Sequence, residues 1–296
     1  MSVSVETRQA RTGWLFLAPG LGLFGVFFVL PVLAGFLLSL TDFDLYAVGD
    51  PGTARWVGLR NYETTLSNPD FWGAVRNTFY FVLVGGPLTV AVSLAAAIGL
   101  NARLVRARSF FRTAYFAPVV TTLVAVAVVW RYLYHPQYGL LNYALAALGV
   151  DPVDWLGDPV WAMPAIILLS IWKNFGYNML IFLAGLQTIP DELYEAAAID
   201  GAGPRAQFFH VTLPGLGPTF LFVTVTTMIS QFQLFAEPYV MTQGGPLKST
   251  TSIVLLMYQE GFRWWRMGIA SAIAFLLFLL TLAGTLMQLR LQRRER

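Results

Sequence analysis

The 296-residue sequence contains no cysteine, only two histidines and few charged residues. Because cysteine is absent, the chain cannot be a disulfide-stabilised scaffold. The 19 basic and 16 acidic side chains make up 12% of the chain, about half the share of a soluble domain. Hydrophobic residues make up 56%, which excludes an intrinsically disordered chain. The composition therefore indicates a membrane protein and argues against a water-soluble enzyme.

Sequence motifs of catalysis and nucleotide binding are also missing. His135 and His210 are far apart in the chain, so we expect neither a metal site nor a catalytic pair. No Gly-x-Ser-x-Gly nucleophile motif is present. Residues 244–250 end in Lys-Ser-Thr like a phosphate-binding loop, but no glycine precedes the lysine and the spacing is wrong. We therefore expect no enzymatic activity, no cofactor and no ATP site in this chain.

Six apolar stretches are each long enough to cross a bilayer as a helix, which takes about 20 residues. They contain glycine and proline, which membrane helices tolerate better than soluble ones. The first is too long for a signal peptide and is interpreted as a retained span. The predicted fold is an all-α polytopic membrane domain with spans at residues 14–40, 78–100, 114–134, 160–186, 219–241 and 267–289.

The distribution of positive charge predicts that both termini are cytoplasmic. With that orientation the inside segments hold eleven arginines: Arg8, Arg11, Arg103, Arg106, Arg108, Arg112, Arg205, Arg290, Arg293, Arg294 and Arg296. The outside segments hold five basic residues: Arg55, Arg60, Lys248, Arg263 and Arg266. Residues 1–13 and 290–296 are then cytoplasmic tails of one domain at 14–289. The basic C-terminal tail is interpreted as a topological anchor and not as a nucleic-acid site.

One inside loop, residues 187–218, is acidic where the positive-inside pattern predicts basic residues. Pro190 suits the first position of a helix, and the spacing of Leu193, Ala196, Ala197 and Asp200 places these four side chains on one face. Gly201 suits the left-handed stop of that helix, and a second helix is predicted to start at Pro204 and to end at Leu213-Pro214. The alanines on the face predict close packing against another protein.

The same loop resembles the EAA loop of ABC importer permeases. The matching pattern starts at Glu195-Ala196-Ala197, continues with Asp200-Gly201-Ala202 and ends with Phe208, Val211, Leu213 and Pro214. The resemblance implies the ABC importer type I permease fold. It also implies that a cytoplasmic ATPase couples to the chain through Glu195, Ala196, Ala197, Asp200, Gly201 and Ala202. A helix pair that only braces the bundle is the alternative interpretation.

Further motifs resemble the carbohydrate (maltose-type, MalF-like) branch of these permeases. They are Val57 to Tyr62, Phe71-Trp72, Phe111-Arg112-Thr113, Trp155-Leu156, Ala184 to Gln187, and Thr242 to Pro246 with Thr250. The resemblance implies a sugar permease in the bacterial plasma membrane that pairs with a second, similar permease. It also implies two copies of a cytoplasmic ATPase, which bind the ATP, and an external sugar-binding protein.

Polar residues in the middle of the fourth and fifth spans are candidates for substrate contacts, because polar groups at membrane depth are costly. Amides can bond sugar hydroxyls and aromatic rings can stack on sugar rings. The candidates are Asn174, Phe175, Gly176, Tyr177, Asn178, Ser230, Gln231 and Gln233. Hydrogen bonding between helices is the alternative for each of them. Lys173 is either a substrate contact or a structural residue, paired for example with Glu237.

Three alternatives to a neutral-sugar permease stay open at this stage. An importer of a sugar phosphate or a polyol such as glycerol 3-phosphate would need more than one cation for a phosphate. A secondary carrier usually has more spans, often in repeats. A membrane-embedded transferase would need external carboxylates, for which Asp151, Asp154 and Asp158 are the candidates.

Overall fold

The structure is a computed structural model and describes residues 5–102 and 107–293. Arg103, Arg106, Arg294 and Arg296, four of the arginines that support the predicted orientation, lie outside these ranges. Within them, the isolated bridge between Thr41 and Trp56 is the one β-type pairing. The α-helices are α1 Val5–Phe24, α2 Leu30–Ser39, α3 Leu45–Gly49, α4 Arg60–Ser67, α5 Pro69–Tyr80, α6 Gly86–Asn101, α7 Arg108–Val120, α8 Leu123–Leu133, α9 Leu140–Ala147, α10 Ala162–Leu186, α11 Asp191–Ile199, α12 Pro204–Gln207, α13 Leu213–Gly215, α14 Gly217–Phe232, α15 Ala236–Met241, α16 Ile253–Tyr258 and α17 Met267–Arg293.

Five helical stretches of the described residues are long and apolar enough to span a membrane. They are Thr12–Ser39, Pro69–Asn101, Ala162–Leu186, Gly217–Met241 and Met267–Arg290. Short π-helical turns join the α-helices within the first two stretches, and α14 and α15 are separated by three residues within the fourth. The predicted all-α membrane fold is confirmed, with spans close to the predicted positions. The first helix begins at Val5, inside the predicted cytoplasmic tail.

The third predicted span, residues 114–134, is not one continuous helix. It is a bent pair, α7 and α8, whose axes differ in direction by 99°. Pro118 lies in the last turn of α7 and has no N–H to donate. The Thr121 hydroxyl donates to the Pro118 carbonyl at 2.6 Å, and Thr121 and Thr122 both have extended backbones. Hydropathy alone does not reveal this break, because all of these residues are tolerated in an apolar segment.

The chain forms two compact units. The first consists of the described part of Met1–Asn68 together with Met257–Leu276. In it, the Asn61 side-chain amide donates to the carbonyls of Ser39 and Thr41 at 2.8 and 2.7 Å, and the Tyr62 hydroxyl lies 2.7 Å from the Ser39 hydroxyl. The two bonds from Asn61 satisfy carbonyls at and just beyond the C-terminal end of α2. They give a physical reason for the Asn61-Tyr62 dipeptide of the Val57 to Tyr62 motif.

The second unit consists of Pro69–Leu256 and the described part of Leu277–Arg296. It contains two apolar clusters that meet different ends of α10. Ile166 and Leu169 belong to the cluster that also contains Tyr134 and Met241, whereas Met179 and Phe182 belong to a second cluster. That second cluster also contains Ile189 and Leu216, which lie near the two ends of the predicted coupling loop. Helix α10 therefore runs from one apolar cluster to the other, and its middle lies between them.

Candidate functional site

The middle of α10 carries the polar residues Ser170, Lys173, Asn174 and Asn178, between its two apolar ends. A polar layer in this position is expensive in a membrane unless its groups bond one another or a ligand. Asn174 donates to the Ser170 carbonyl at 2.9 Å, and Asn178 donates to the Thr227 hydroxyl on α14 at 2.9 Å. The interhelical bonding considered for these residues is therefore real for the Asn178 amide nitrogen.

A cavity of about 160 Å³ opens in this polar layer. Residues of α6, α7, α10 and α14 line it: Thr89, Val119, Asn174, Tyr177, Asn178, Thr226, Thr227, Ser230 and Gln231. Seven of the nine lining residues carry a hydroxyl or an amide on an aliphatic side chain, the Tyr177 ring provides an aromatic face, and no ionisable side chain other than tyrosine lines the cavity. The cavity can therefore offer both donors and acceptors to a neutral, hydroxyl-rich ligand.

Five of the eight predicted substrate residues line this cavity, namely Asn174, Tyr177, Asn178, Ser230 and Gln231. The other three do not. The Phe175 ring faces the Tyr115 ring, with centroids 5.6 Å apart. Gly176 is buried where a side chain would overlap the Tyr115 carbonyl, so it permits close packing of α10 on α7. Gln233 is exposed at the C-terminal end of α14.

Gln231 is the most distinctive of the lining residues because its acceptor is buried and unused. Its side chain lies against the backbone of Gly85 and Gly86, where a Cβ atom on Gly86 would come within 3.2 Å of Oε1. Its amide nitrogen is 3.5 Å from the Thr89 hydroxyl, at the limit of a hydrogen bond. Its Oε1 is buried and has no hydrogen-bond partner. Buried acceptors without a partner are rare in proteins, and this one belongs to a side chain that lines the cavity.

Sequence reasoning missed the lining residues Thr89, Val119, Thr226 and Thr227. The threonine hydroxyls gave no signal, because a threonine in a membrane helix can bond the carbonyl four residues earlier, as Thr89 does to Gly85 at 2.7 Å. Val119 lines the cavity only because α7 ends next to it. The i, i+4 spacing that identified Asn174 and Asn178 on α10 has a counterpart in Thr226 and Ser230 on α14. That second pair was the available signal for Thr226.

Lys173 is a structural residue in this conformation and does not line the cavity. Its ammonium group donates to the carbonyls of Pro118, Val119 and Thr121 at 2.7, 3.2 and 2.7 Å. Hydrogen bonds from a charged donor contribute about 1.5–3 kcal/mol each. Lys173 and Glu237 form no salt bridge, although the two side chains are near enough to interact electrostatically.

The predicted helix, glycine turn and second helix of the EAA-like loop are present. The Ala202 N–H donates to the Ala197 carbonyl at 2.8 Å, and the Gly201 N–H donates to the Ala198 carbonyl at 3.0 Å. This is a Schellman C-cap, which requires a left-handed residue, and Gly201 has φ +81°. A glycine therefore stands where another residue would be strained.

Two details of the loop differ from prediction. Pro190 precedes α11 with an extended backbone, so α11 begins at Asp191. The second helix does not end at Leu213-Pro214. It continues through a π-helical turn at Phe208–Thr212 into α13, because a proline is tolerated in the first turn of a helix. Leu216 then leads directly into α14.

The two faces of α11 differ in exposure. Tyr194 points inward, where it packs on the second apolar cluster and its hydroxyl lies 3.0 Å from that of Thr212. On the other side Leu193 is 51% and Ile199 87% exposed. Of the predicted coupling residues, Glu195, Ala196, Asp200 and Gly201 are exposed, and Ala197 and Ala202 are half-buried. The loop is therefore anchored on one side and presents small and apolar side chains on the other.

Two of the three carboxylates considered for a transferase stabilise local turns, and the third, Asp151, is exposed. Asp154 accepts from the Gly157 N–H at 2.9 Å, and Asp158 accepts from the Val160 N–H at 2.8 Å. The described residues contain no group of three or more His, Cys, Asp or Glu side chains able to hold a metal ion.

Residues 242–250 form a compact loop in which the hydroxyls of Thr242 and Thr250 are 2.7 Å apart.

Comparison with known proteins places residues 23–296 in one family. Residues 23–296 match the family described as "Binding-protein-dependent transport system inner membrane component". A probable ABC transporter permease protein of Bacillus subtilis, YurN, is 37% identical over 280 residues, which are 94% of each chain. The trehalose/maltose transport system permease protein MalF of Thermococcus litoralis is 37% identical over 296 residues, or 100% of this chain and 98% of that relative.

The fold agrees with this assignment. The crystal structure of a bacterial ABC transporter involved in the import of the acidic polysaccharide alginate contains a chain of the same architecture, with a TM-score of 0.78 at 24% identity. The match covers 97% of this chain and 98% of that one. The resemblance to importer permeases is thereby confirmed, and the predicted permease fold with it. The chain belongs to the family of inner membrane components of binding-protein-dependent transport systems.

Proposed function

We propose that this chain is a permease subunit of an ATP-driven importer for a neutral carbohydrate and forms half of the translocation pathway. The observation that carries the proposal is the uncharged, hydroxyl- and amide-lined cavity between the two apolar clusters of a chain of this family. Relatives named for trehalose/maltose, arabinooligosaccharides and lactose transport are 36–37% identical to this chain over 88% or more of its length. Their names support a carbohydrate.

The cavity chemistry favours a neutral sugar over a sugar phosphate. A phosphate is usually held by cationic or several N–H donors, and no lysine or arginine lines the cavity. Lys173, the one cation nearby in sequence, is already bonded to three carbonyls. The Tyr177 ring, 50% exposed beside Asn174 and Asn178, can stack on the apolar face of a sugar ring.

The size of the cavity supports a pathway shared with a second permease. Ligand pockets usually enclose about 300–1,000 Å³, and this one encloses about 160 Å³. The lining residues Asn174, Tyr177 and Ser230 are exposed in the isolated chain. A second, similar permease that contributes the facing wall would complete the site, as the heterodimer proposal requires.

The exposed side of α11 and Gly201 is the proposed contact for the cytoplasmic ATPase. Small side chains at Ala196 and Ala197 allow close approach, and Leu193 and Ile199 offer apolar contact area on a surface that is otherwise solvated. Tyr194 and the π-helical turn connect this surface to α14, whose far end lines the cavity. Movement of the loop would therefore reach the cavity through one helix.

The proposed assembly contains this chain, a second permease, two copies of an ATPase and an external sugar-binding protein, with both termini cytoplasmic. The test is reconstitution of that assembly in liposomes with a panel of neutral sugars, a sugar phosphate and a uronate. We expect ATP-dependent uptake of a neutral sugar that requires the binding protein. Uptake of only the charged substrates, or uptake without the ATPase, would reject the proposal.

A further inference from the structure

The third span is broken between α7 and α8, and Lys173 bonds backbone carbonyls at this break. Helix α7 ends at Val120, and the chain turns by 99° before α8 begins. The last carbonyls of a helix have no partner within the helix. In the apolar part of a membrane each such group must be bonded by something else. Here the carbonyls of Pro118, Val119 and Thr121 all accept from the Lys173 ammonium, and the Pro118 carbonyl also accepts from the hydroxyl and the N–H of Thr121.

Lys173 is well suited to this position on α10. It is 9% exposed, and its three N–H donors match the three carbonyls one to one. One turn later on the same face, Gly176 removes the side chain that would otherwise overlap the Tyr115 carbonyl. Helix α7 is therefore fixed to α10 at two points, through charge at its end and close backbone contact three residues earlier. Helix α8 packs on α15, and its Trp130 ring lies 5.5 Å from the Trp172 ring of α10.

The cavity depends on this attachment. Val119 lines the cavity, and its own carbonyl is one of the three that Lys173 holds. On α10, the neighbours of the two attachment points, Asn174 beside Lys173 and Tyr177 beside Gly176, line the cavity as well. The distance between the Val119 wall and the α10 wall is thus set by a side chain that does not itself reach the cavity.

We propose that Lys173 is a positioning residue, which caps the broken end of α7 and thereby sets the Val119 wall of the cavity, and that it does not contact the transported molecule. The role of the Val119 wall in transport rests on the proposed function, whereas the contact between Lys173 and α7 does not. Lys173 therefore acts through backbone carbonyls on the shape of the site.

The absence of cysteine from the chain allows a direct test. A single cysteine replaces Val119 in the assembled importer, and its rate of modification by a small maleimide is measured with Lys173, Lys173→Met and Lys173→Arg. A cysteine at Thr226, on the α14 side of the cavity, serves as the matched reporter. Lys248→Met, a change of the exposed second lysine, is the control for loss of one positive charge.

With Lys173→Met we expect the modification rate at Val119→Cys to change about fivefold or more, and the rate at Thr226→Cys to change less than twofold. Lys173→Arg keeps donors and charge, so its Val119→Cys rate should stay within about twofold of the parent. The maximal uptake rate should fall at least tenfold in Lys173→Met, and the unfolding temperature should fall too, because three carbonyls lose their donor. The nearly unchanged Thr226→Cys rate then separates a local shift of the Val119 wall from general loosening of the fold. Lys173→Gln, which keeps one donor group, replaces Lys173→Met if the latter does not assemble.

An unchanged Val119→Cys rate in Lys173→Met, or in Lys173→Gln where that variant replaces it, would overturn the proposal. So would a pure increase in sugar KM with no change at either cysteine, because that pattern belongs to a residue in contact with substrate. Maleimide modification needs no transported sugar. A complex that transports none of the sugars tested therefore rejects the proposed function, while the modification rates still test the role of Lys173.

Discussion

At the scale of single residues, the candidate site is governed by which polar atoms are satisfied before a ligand arrives. The Asn178 amide nitrogen is bonded to Thr227, whereas the Gln231 Oε1 is buried without a partner. A group of the second kind costs free energy in the empty protein and gains a bond when a donor arrives. Gln231 is accordingly the residue whose loss should affect binding more than folding.

We predict that Gln231→Met weakens sugar binding about tenfold, equivalent to about 1.4 kcal/mol, and leaves the unfolding temperature unchanged or raised. Methionine keeps the volume but removes the unpaired acceptor. Gln233→Met is the matched control, because Gln233 is exposed and does not line the cavity. Substrate-stimulated ATP hydrolysis of the assembled importer, titrated with sugar, gives both affinities. Equal effects of the two substitutions would contradict the assignment.

A second prediction at this scale concerns the crossing of α7 and α10. Gly176→Ala places a Cβ atom against the Tyr115 carbonyl, and overpacking of this kind costs about 1–3 kcal/mol. Gly99→Ala, in helix α6, meets no atom within 4 Å and should be neutral or stabilising. Thermal unfolding in detergent compares the two. A Gly176→Ala protein as stable as Gly99→Ala would mean that the two helices separate easily.

At the scale of elements, the loop with α11 and α12 depends on one left-handed residue. Gly201 has φ +81° and open space around it, so a substitution there meets backbone strain and no steric clash. Gly203 also has open space but has φ −70° and ψ 171°, an extended backbone that valine prefers. The two positions separate strain in the loop from crowding at the partner surface.

We predict that Gly201→Val reduces sugar-stimulated ATP hydrolysis about tenfold, because about 1–2 kcal/mol of backbone strain opposes the Schellman turn. Gly203→Val should retain most of the activity, and Gly201→Asn should be intermediate, since asparagine tolerates the left-handed region. All three proteins should insert into the membrane in similar amounts. If Gly201→Val and Gly203→Val fail equally, the partner surface and not the turn limits coupling.

At the scale of the whole molecule, orientation is the property that rests most on arginine counts. The coupling-loop residue Ile199 and the residue Leu247 of the loop between α15 and α16 are 87% and 90% exposed. The predicted topology places them on opposite sides of the membrane. Because the chain has no cysteine, single cysteines at these two positions can report the side directly.

We predict that an impermeant maleimide added to intact spheroplasts modifies Leu247→Cys and spares Ile199→Cys. After the membrane is opened with detergent, both cysteines should react at comparable rates, which controls for intrinsic reactivity. The reversed pattern in intact spheroplasts would invert the topology and would place the EAA-like loop outside, away from any ATPase.

Much of this architecture was predictable from the sequence because it follows from composition and local rules. Apolar length located the spans, and Gly201 located the turn because few other residues accept its backbone conformation. The spacing of Asn174 and Asn178 identified the α10 side of the cavity. The break at Thr121–Thr122 was not predictable, since hydropathy does not report helix direction. For the same reason, the cavity position of Val119 and the role of Lys173 were missed. Both depend on contacts between residues more than 50 positions apart in the sequence.

The glycine pair at residues 85 and 86 limits how the cavity can evolve. On that side Gln231 already rests on bare backbone, so no substitution there can remove more atoms and only a gain of volume is available. A variant that accepts a bulkier ligand must instead shorten side chains on the opposite walls, at Tyr177 or Val119. A methyl group at position 86, by contrast, would come within 3.2 Å of the Gln231 Oε1 and would act on the cavity through that side chain. Changes toward bulkier and toward smaller ligands therefore involve residues on different helices.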